Sequence, residues 1–128
     1  MIALDAAATG VARGAVLVGL LPACDGVILD RDGEIAGFAL LRRFGRGYVI
    51  GPVVAPDLEG ARALITHWVG THAGMFLRID VPTDTGLAPW LDELGLTGVS
   101  AVPAMTRGTP PRRGTQPRTF ALISQALG

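Results

Sequence analysis

The chain has 128 residues, 49% of them apolar, with eleven basic and eleven acidic side chains and a formal charge of zero. That length suits one domain with a real core, and the balance excludes a charged disordered tail and any overall pull toward nucleic acid or anionic membrane. All eleven basic residues are Arg. With no Lys in the chain, a Walker-type phosphate loop, Schiff-base chemistry and the protein-kinase Lys are excluded. Cys24 stands alone, so no internal disulfide and no CxxC metal or redox pair exists. A reducing compartment, the cytoplasm, is the default expectation.

In chain order, residues 5–22 predict a helix opened by Asp5 as N-cap and closed near Pro22, with Leu4, Ala8, Val11, Ala15 and Val18 at helical spacing. The run Ala15 to Cys24 also has the look of a lipoprotein signal ending at its Cys. Asp5 against Arg13 leaves its leading segment without net positive charge, and the apolar run is short, so the helix is the better reading. No run approaches the ~20 apolar residues of a membrane span.

Gly26 to Asp30 predicts a first strand, and Asp32-Gly33 a tight hairpin turn. Ile35 to Arg42 is the returning strand. Gly45-Arg46-Gly47 makes a second turn, and Tyr48 to Val54 a nearly all-apolar central strand. Helical spacing then runs from Asp57 to about His72. Met75 to Val81 is another apolar strand, reached by a right-handed parallel crossover. A helix over Thr85 to Leu94 follows, with Pro89 near its first turn and Gly95 at its end. Leu96 to Arg107 alternates as a strand, with Pro103 marking an edge or bulge. Thr109 to Pro117 is a loop, and Arg118 to Ser124 a last strand. No internal repeat and no domain boundary appears, so residues 1–128 form a single unit.

That element order resembles the GNAT acetyltransferase superfamily, and most closely the C-terminal domain of tandem GNAT proteins. The resemblance is carried by Gly33 to Arg42 (GEIAGFALLR) and by Tyr48 to Asp57 (YVIGPVVAPD), in which the Ile-Gly-Pro-Val-Val-Ala block is distinctive. Ile79 to Pro82, Leu91 to Leu96, Met105 to Gly108 and a final Leu127-Gly128 complete it, and residues 1–13 resemble the connector after a first GNAT domain. The implied fold class is α/β (α+β): a mixed, mostly antiparallel sheet with one parallel crossover and helices on both faces. The implied activity is transfer of an acetyl group from acetyl-CoA to a small amine. Pyrophosphate binding at a helix N-terminus, through a Gly-rich loop, is the family's device for the cofactor.

The resemblance places acetyl-CoA along Val53, Val54 and Ala55 and at the helix start with Asp57, Gly60 and Arg62. The sequence departs from the family pattern twice. After Pro56 it reads Asp57-Leu58-Glu59-Gly60-Ala61-Arg62, so the Gly-rich phosphate loop is short or missing, and Asp57 and Glu59 are helix-start residues. Leu91 stands where the family's Tyr would fall, and the only Tyr is Tyr48.

Asp80, at the end of an apolar strand, is either a general base or amine anchor, or a cap before Pro82. Arg42 either holds an anion or lies on an exposed edge. Arg42, Tyr48 and Arg107 are the candidate contacts to substrate or to an anion. Residues 97–128 carry four Arg and no acid, while residues 1–96 hold seven Arg against eleven acids, a split of +4 and −4. His67 and His72 are five apart and share no helix face, so no metal site is expected. Ser100 and Ser124 lack a nucleophile elbow. Gly45, Gly47 and Gly51 miss the dinucleotide fingerprint. Trp68 and Trp90 read as core. Two functions follow: an acetyl-CoA-dependent N-acetyltransferase or its C-terminal half, and a non-catalytic module that pairs with a catalytic GNAT domain. The expected partners are a small-molecule amine and a second GNAT domain or a homodimer, with neither nucleic acid nor membrane.

Overall fold

The N-terminal segment breaks where a glycine lets it. In the computed structural model, which describes residues 1–105 and 107–127, the helix expected over 5–22 is two helices, α1 (Ile2–Thr9) and α2 (Gly14–Leu20). Gly10 ends α1 at φ 72°, a left-handed conformation that glycine adopts at no steric cost. A β-carbon there would also collide with the Arg112 carbonyl. Asp5 is not a cap. It lies inside α1, buried, and its carboxylate takes two hydrogen bonds from Arg13, at 2.7 and 2.9 Å. Arg13 also donates to the Leu127 carbonyl at 2.9 Å, so this ion pair ties the first helix to the C-terminal end.

A short 3-10 turn over Leu21–Ala23 leads into β1 (Cys24–Arg31), β2 (Glu34–Phe44) and β3 (Gly47–Ala55), an antiparallel meander. The Asp32-Gly33 turn has positive φ at both residues, 56° and 81°, as a tight hairpin requires. Gly47 packs against the Phe76 carbonyl so closely that a side chain there would collide. β3 is buried along almost its whole length. Asp57 caps α3 (Leu58–Thr71), its Oδ1 accepting from the Gly60 amide at 2.8 Å. β4 (Leu77–Ile79) then returns parallel to β3, giving the expected crossover, though it is shorter than the predicted 75–81. A 3-10 turn over Thr83–Thr85 and α4 (Ala88–Glu93) follow, with Pro89 in the first turn of α4.

Residues 96–107 do not form the predicted strand. Among the described residues of that stretch none is in a sheet, and Thr106 lies outside them. Val99, Val102 and Met105 point to solvent. Alternation alone makes no strand without a free edge to pair with, and Pro103 removes a donor. β5 (Arg118–Ala121) closes the sheet, shorter than the predicted 118–124.

The sheet is mixed and mostly antiparallel, with helices on both faces. Successive β2 residues alternate between two cores. Ala39 and Leu41 join Ile50, Val53, Leu64, Ile65, Trp68 and Leu91 on the α3 and α4 face. Phe38 and Leu40 join Ala8, Leu17, Val54 and Ile123 on the α1 and α2 face. The Ala15 to Cys24 run contributes Leu17 to that second core. Among the described residues, no helix is long and apolar enough to cross a membrane.

Removing one member of a buried ion pair strands the other, at a cost of about 3–5 kcal/mol. Arg13→Met is expected to lower the melting temperature by roughly 10 °C or more, and a double Asp5→Leu, Arg13→Met variant to recover most of it. A loss below about 2 °C in the single variant would show that the pair does not hold α1 in place.

Candidate functional site

The outer edge of β3 has two partners in succession. Its first half, Tyr48 to Ile50, pairs parallel with Leu77 to Ile79 of β4. Its second half pairs antiparallel with β5: Val53 opposite Ala121, Val54 opposite Thr119, and Ala55 opposite Arg118. β3 and β4 thus part company after Ile50, and β5 fills the opening between them. Where β5 ends, the Leu122 amide donates to the Asp80 carbonyl at 2.8 Å, stitching it to the end of β4.

Arg42 fastens the same junction. Its guanidinium donates to the Gly51 carbonyl at 3.1 Å and to the Ile123 carbonyl at 2.6 Å. The residue is half-buried, and two of its donors are engaged by backbone carbonyls. Asp80 is held by Arg78, at 3.1 Å from Nε and 3.0 Å from Nη2. Its carboxylate is mostly buried, so it resembles a paired structural group more than a free base.

At the far end of β3 a cleft of about 460 Å³ opens between the start of α3 and the start of β5. Pro56, Asp57, Leu58, Thr85, Gln116 and Arg118 are among its lining residues. Asp57 is engaged twice over. Arg31 donates to both of its oxygens, at 2.7 and 3.1 Å, and the Gly60 amide donates to Oδ1. The Arg31 guanidinium, and after it the Gly60 amide, hold the Asp57 carboxyl below the usual carboxylate range. Gly60 is buried against Leu29 and its N–H serves the cap rather than an incoming anion. Arg62 lies two residues on, its guanidinium 5.3 Å from the Trp90 ring centre and its Nε buried without a partner among the described residues.

The candidates named from sequence therefore fall into separate places. Val53, Val54, Ala55, Asp57 and Gly60 come together at one end of β3. Arg42 and Asp80 lie at the junction. Tyr48 is at the other end, roughly 23 Å along the strand from Ala55, where its ring meets His72 at 4.9 Å and Arg43 at 5.3 Å. Arg107 is exposed in the coil before β5. Sequence reasoning missed Arg118, Gln116 and Thr85 as cleft residues. The one signal for Gln116 and Arg118 was the Arg-rich, Pro-rich loop ahead of the last strand, which carries no information on where that strand docks, and Thr85 had none. Burial pushes the Cys24 thiol up, which leaves it a poor nucleophile. No group of three metal-ligating side chains occurs among the described residues.

Residues 1–121 match the model of a family described as an acetyltransferase (GNAT) domain. The chain belongs to the GNAT acetyltransferase family. It is also 33% identical over 131 residues to a Bacillus subtilis (strain 168) protein named "Uncharacterized N-acetyltransferase YitH". That match covers 98% of this chain and 45% of the relative, so the chain spans less than half of the relative's length. No solved structure shows a significant match.

In this GNAT domain the edge expected to take acetyl-CoA does not fit the cofactor as it stands. A pantetheine arm needs unpaired backbone groups along Val53 to Ala55, and β5 already pairs with them. The helix start adds carboxylates where a pyrophosphate needs donors.

Asp57 also sets an acid limit on stability. Its carboxyl titrates lower in the folded chain than in the unfolded one, so its contribution is full above the ordinary carboxylate range and is lost as pH falls through the lowered folded value. Asp57→Asn keeps a capping oxygen and loses the charge. Urea unfolding between about pH 2 and pH 6 is expected to show a shallower acid-side fall for this variant than for the parent. Parallel curves would remove Asp57 from the acid response.

Proposed function

We propose that this GNAT domain serves acetyl transfer from acetyl-CoA to a small amine as one half of a two-domain N-acetyltransferase, in the cytoplasm. In this reading it is the half that pairs with a catalytic GNAT domain and supports the amine site, and the cofactor lies on the companion half. One observation carries the reading: β5 of the chain itself lies along Val53 to Ala55, the edge that the cofactor would use. The engaged Asp57, the short phosphate loop and Leu91 in place of the family's Tyr agree with it. A relative more than twice as long as the matched region leaves room for such a companion half.

A second reading has one observation in its favour, the cleft beside Asp57 and Arg118. Here the chain itself takes acetyl-CoA, with its phosphates near Arg118 and Arg62 and the thioester on Val53 to Ala55 once β5 has moved aside. Asp80 is then the base or amine anchor, and Arg42, Tyr48 or Arg107 an anion contact.

Melting the isolated chain with and without acetyl-CoA separates the two. A ligand at 100 times its dissociation constant adds about 2.7 kcal/mol, a shift of several degrees. No shift at millimolar acetyl-CoA is expected for the pairing half. A shift of several degrees, removed by reversing the charge of Arg118, would overturn that reading in favour of the second.

A further inference from the structure

The two ends of the β1–β2–β3 meander carry opposite charge beside exposed apolar side chains. At one end the β2–β3 turn meets the loop before β4. Phe44, Met75 and Phe76 are each about half exposed there, at 46%, 49% and 51%. The arrangement is rigid: Gly47 packs on the Phe76 backbone, and the Tyr48 amide donates to the Phe76 carbonyl at 2.9 Å. Guanidinium groups lie over the rings, Arg46 at 4.7 Å from the Phe76 centre and Arg78 at 5.0 Å from that of Phe44. Arg78 is neutralised by Asp80, but Arg43 and Arg46 are exposed and form no ion pair among the described residues. Exposed Phe and Met beside Arg is the composition of a protein–protein interface core.

At the other end, the β1–β2 turn presents Asp30, Asp32 and Glu34, with Ile28 and Ile35 exposed beside them at 52% and 47%. Arg31, the cation within that turn, is engaged by Asp57. This end has the chemistry the first end needs, carboxylates next to aliphatic side chains. β2 runs between them from Glu34 to Phe44 and holds them about 33 Å apart. They cannot meet within one chain.

We propose that the Phe44–Arg46–Phe76 end docks on the Asp30–Glu34 end of a second copy, in a head-to-tail contact. This does not depend on where acetyl-CoA binds. Sedimentation velocity on the full chain tests it at about 0.01 M and about 1 M salt, where charges are screened over about 30 Å and 3 Å. The expected result is a mass that rises with protein concentration at low salt and falls back toward the monomer at high salt. Arg43→Glu with Arg46→Glu makes both ends acidic. Asp32→Asn with Glu34→Arg removes the net negative charge of the other end, Asp30 offsetting the new Arg and Asp57 offsetting Arg31, with Asn at position 32 because it tolerates the positive φ there. Each double variant alone is expected to stay monomeric. Mixed one to one, they retain one complete native pair of ends and are expected to associate again. Circular dichroism confirms that both fold. A monomer at every concentration in low salt, association that survives Arg43→Glu with Arg46→Glu, or a mixture that stays monomeric would each overturn the proposal, and the first leaves these ends to another protein.

Discussion

Everything in this GNAT domain hangs on the hydrogen-bonding edge of β3. A strand has two edges, and one edge of β3 is taken along its length by β2. The other is divided between a parallel partner, β4, and an antiparallel one, β5. Parallel pairing needs a crossover and antiparallel pairing a reversal, so the two partners arrive from different directions and cannot form one straight strand. The gap between them falls at Gly51, where Arg42 and the Leu122 to Asp80 hydrogen bond knit the junction. Buried polar groups in such a junction are stable only when satisfied, and here a side chain supplies what the ladder leaves out.

That division sets what the site can do. An unpaired strand edge is a row of ready donors and acceptors, equally suited to another strand or to an amide-bearing ligand. In this chain the row is filled from within, and the neighbouring helix start is filled too, by Asp57 with Arg31 and Gly60. A fold of the acetyltransferase family is therefore present with the β3 edge along Val53 to Ala55 closed. The two readings of its function differ only in whether that closure is permanent.

The parts of the fold that were legible in the sequence are those fixed by local chemistry. Asp32-Gly33 and Gly45 to Gly47 turn the chain at the expected places. The unbroken apolar run of β3 marks it as central, and Asp57 opens α3 as a helix-start residue. What escaped the sequence was set by distant partners. Asp5 has the chemistry of a cap, yet Arg13 eight residues on draws it into the core. Arg42 reads as an anion contact or an exposed edge, and its guanidinium braces carbonyls from β3 and from the segment after β5. Residues 96–107 alternate convincingly and find no edge to join. The sequence marks β5 as a strand, but nothing in its four residues says that it docks between β3 and β4, about sixty and about forty positions earlier in the chain. The candidate site was legible as a place, the end of β3 and the start of α3. Its closure was not, because closure is a tertiary fact.

Amide hydrogen exchange on β3 and β5, with and without acetyl-CoA, tests the central claim most directly. If β5 belongs to the sheet, amides of Val53 to Ala55 and of Arg118 to Ala121 that lie in the ladder will exchange as slowly as those between β2 and β3, and acetyl-CoA will leave them unchanged. Fast exchange along β5 in the free chain, or loss of its protection when acetyl-CoA is added, would contradict it.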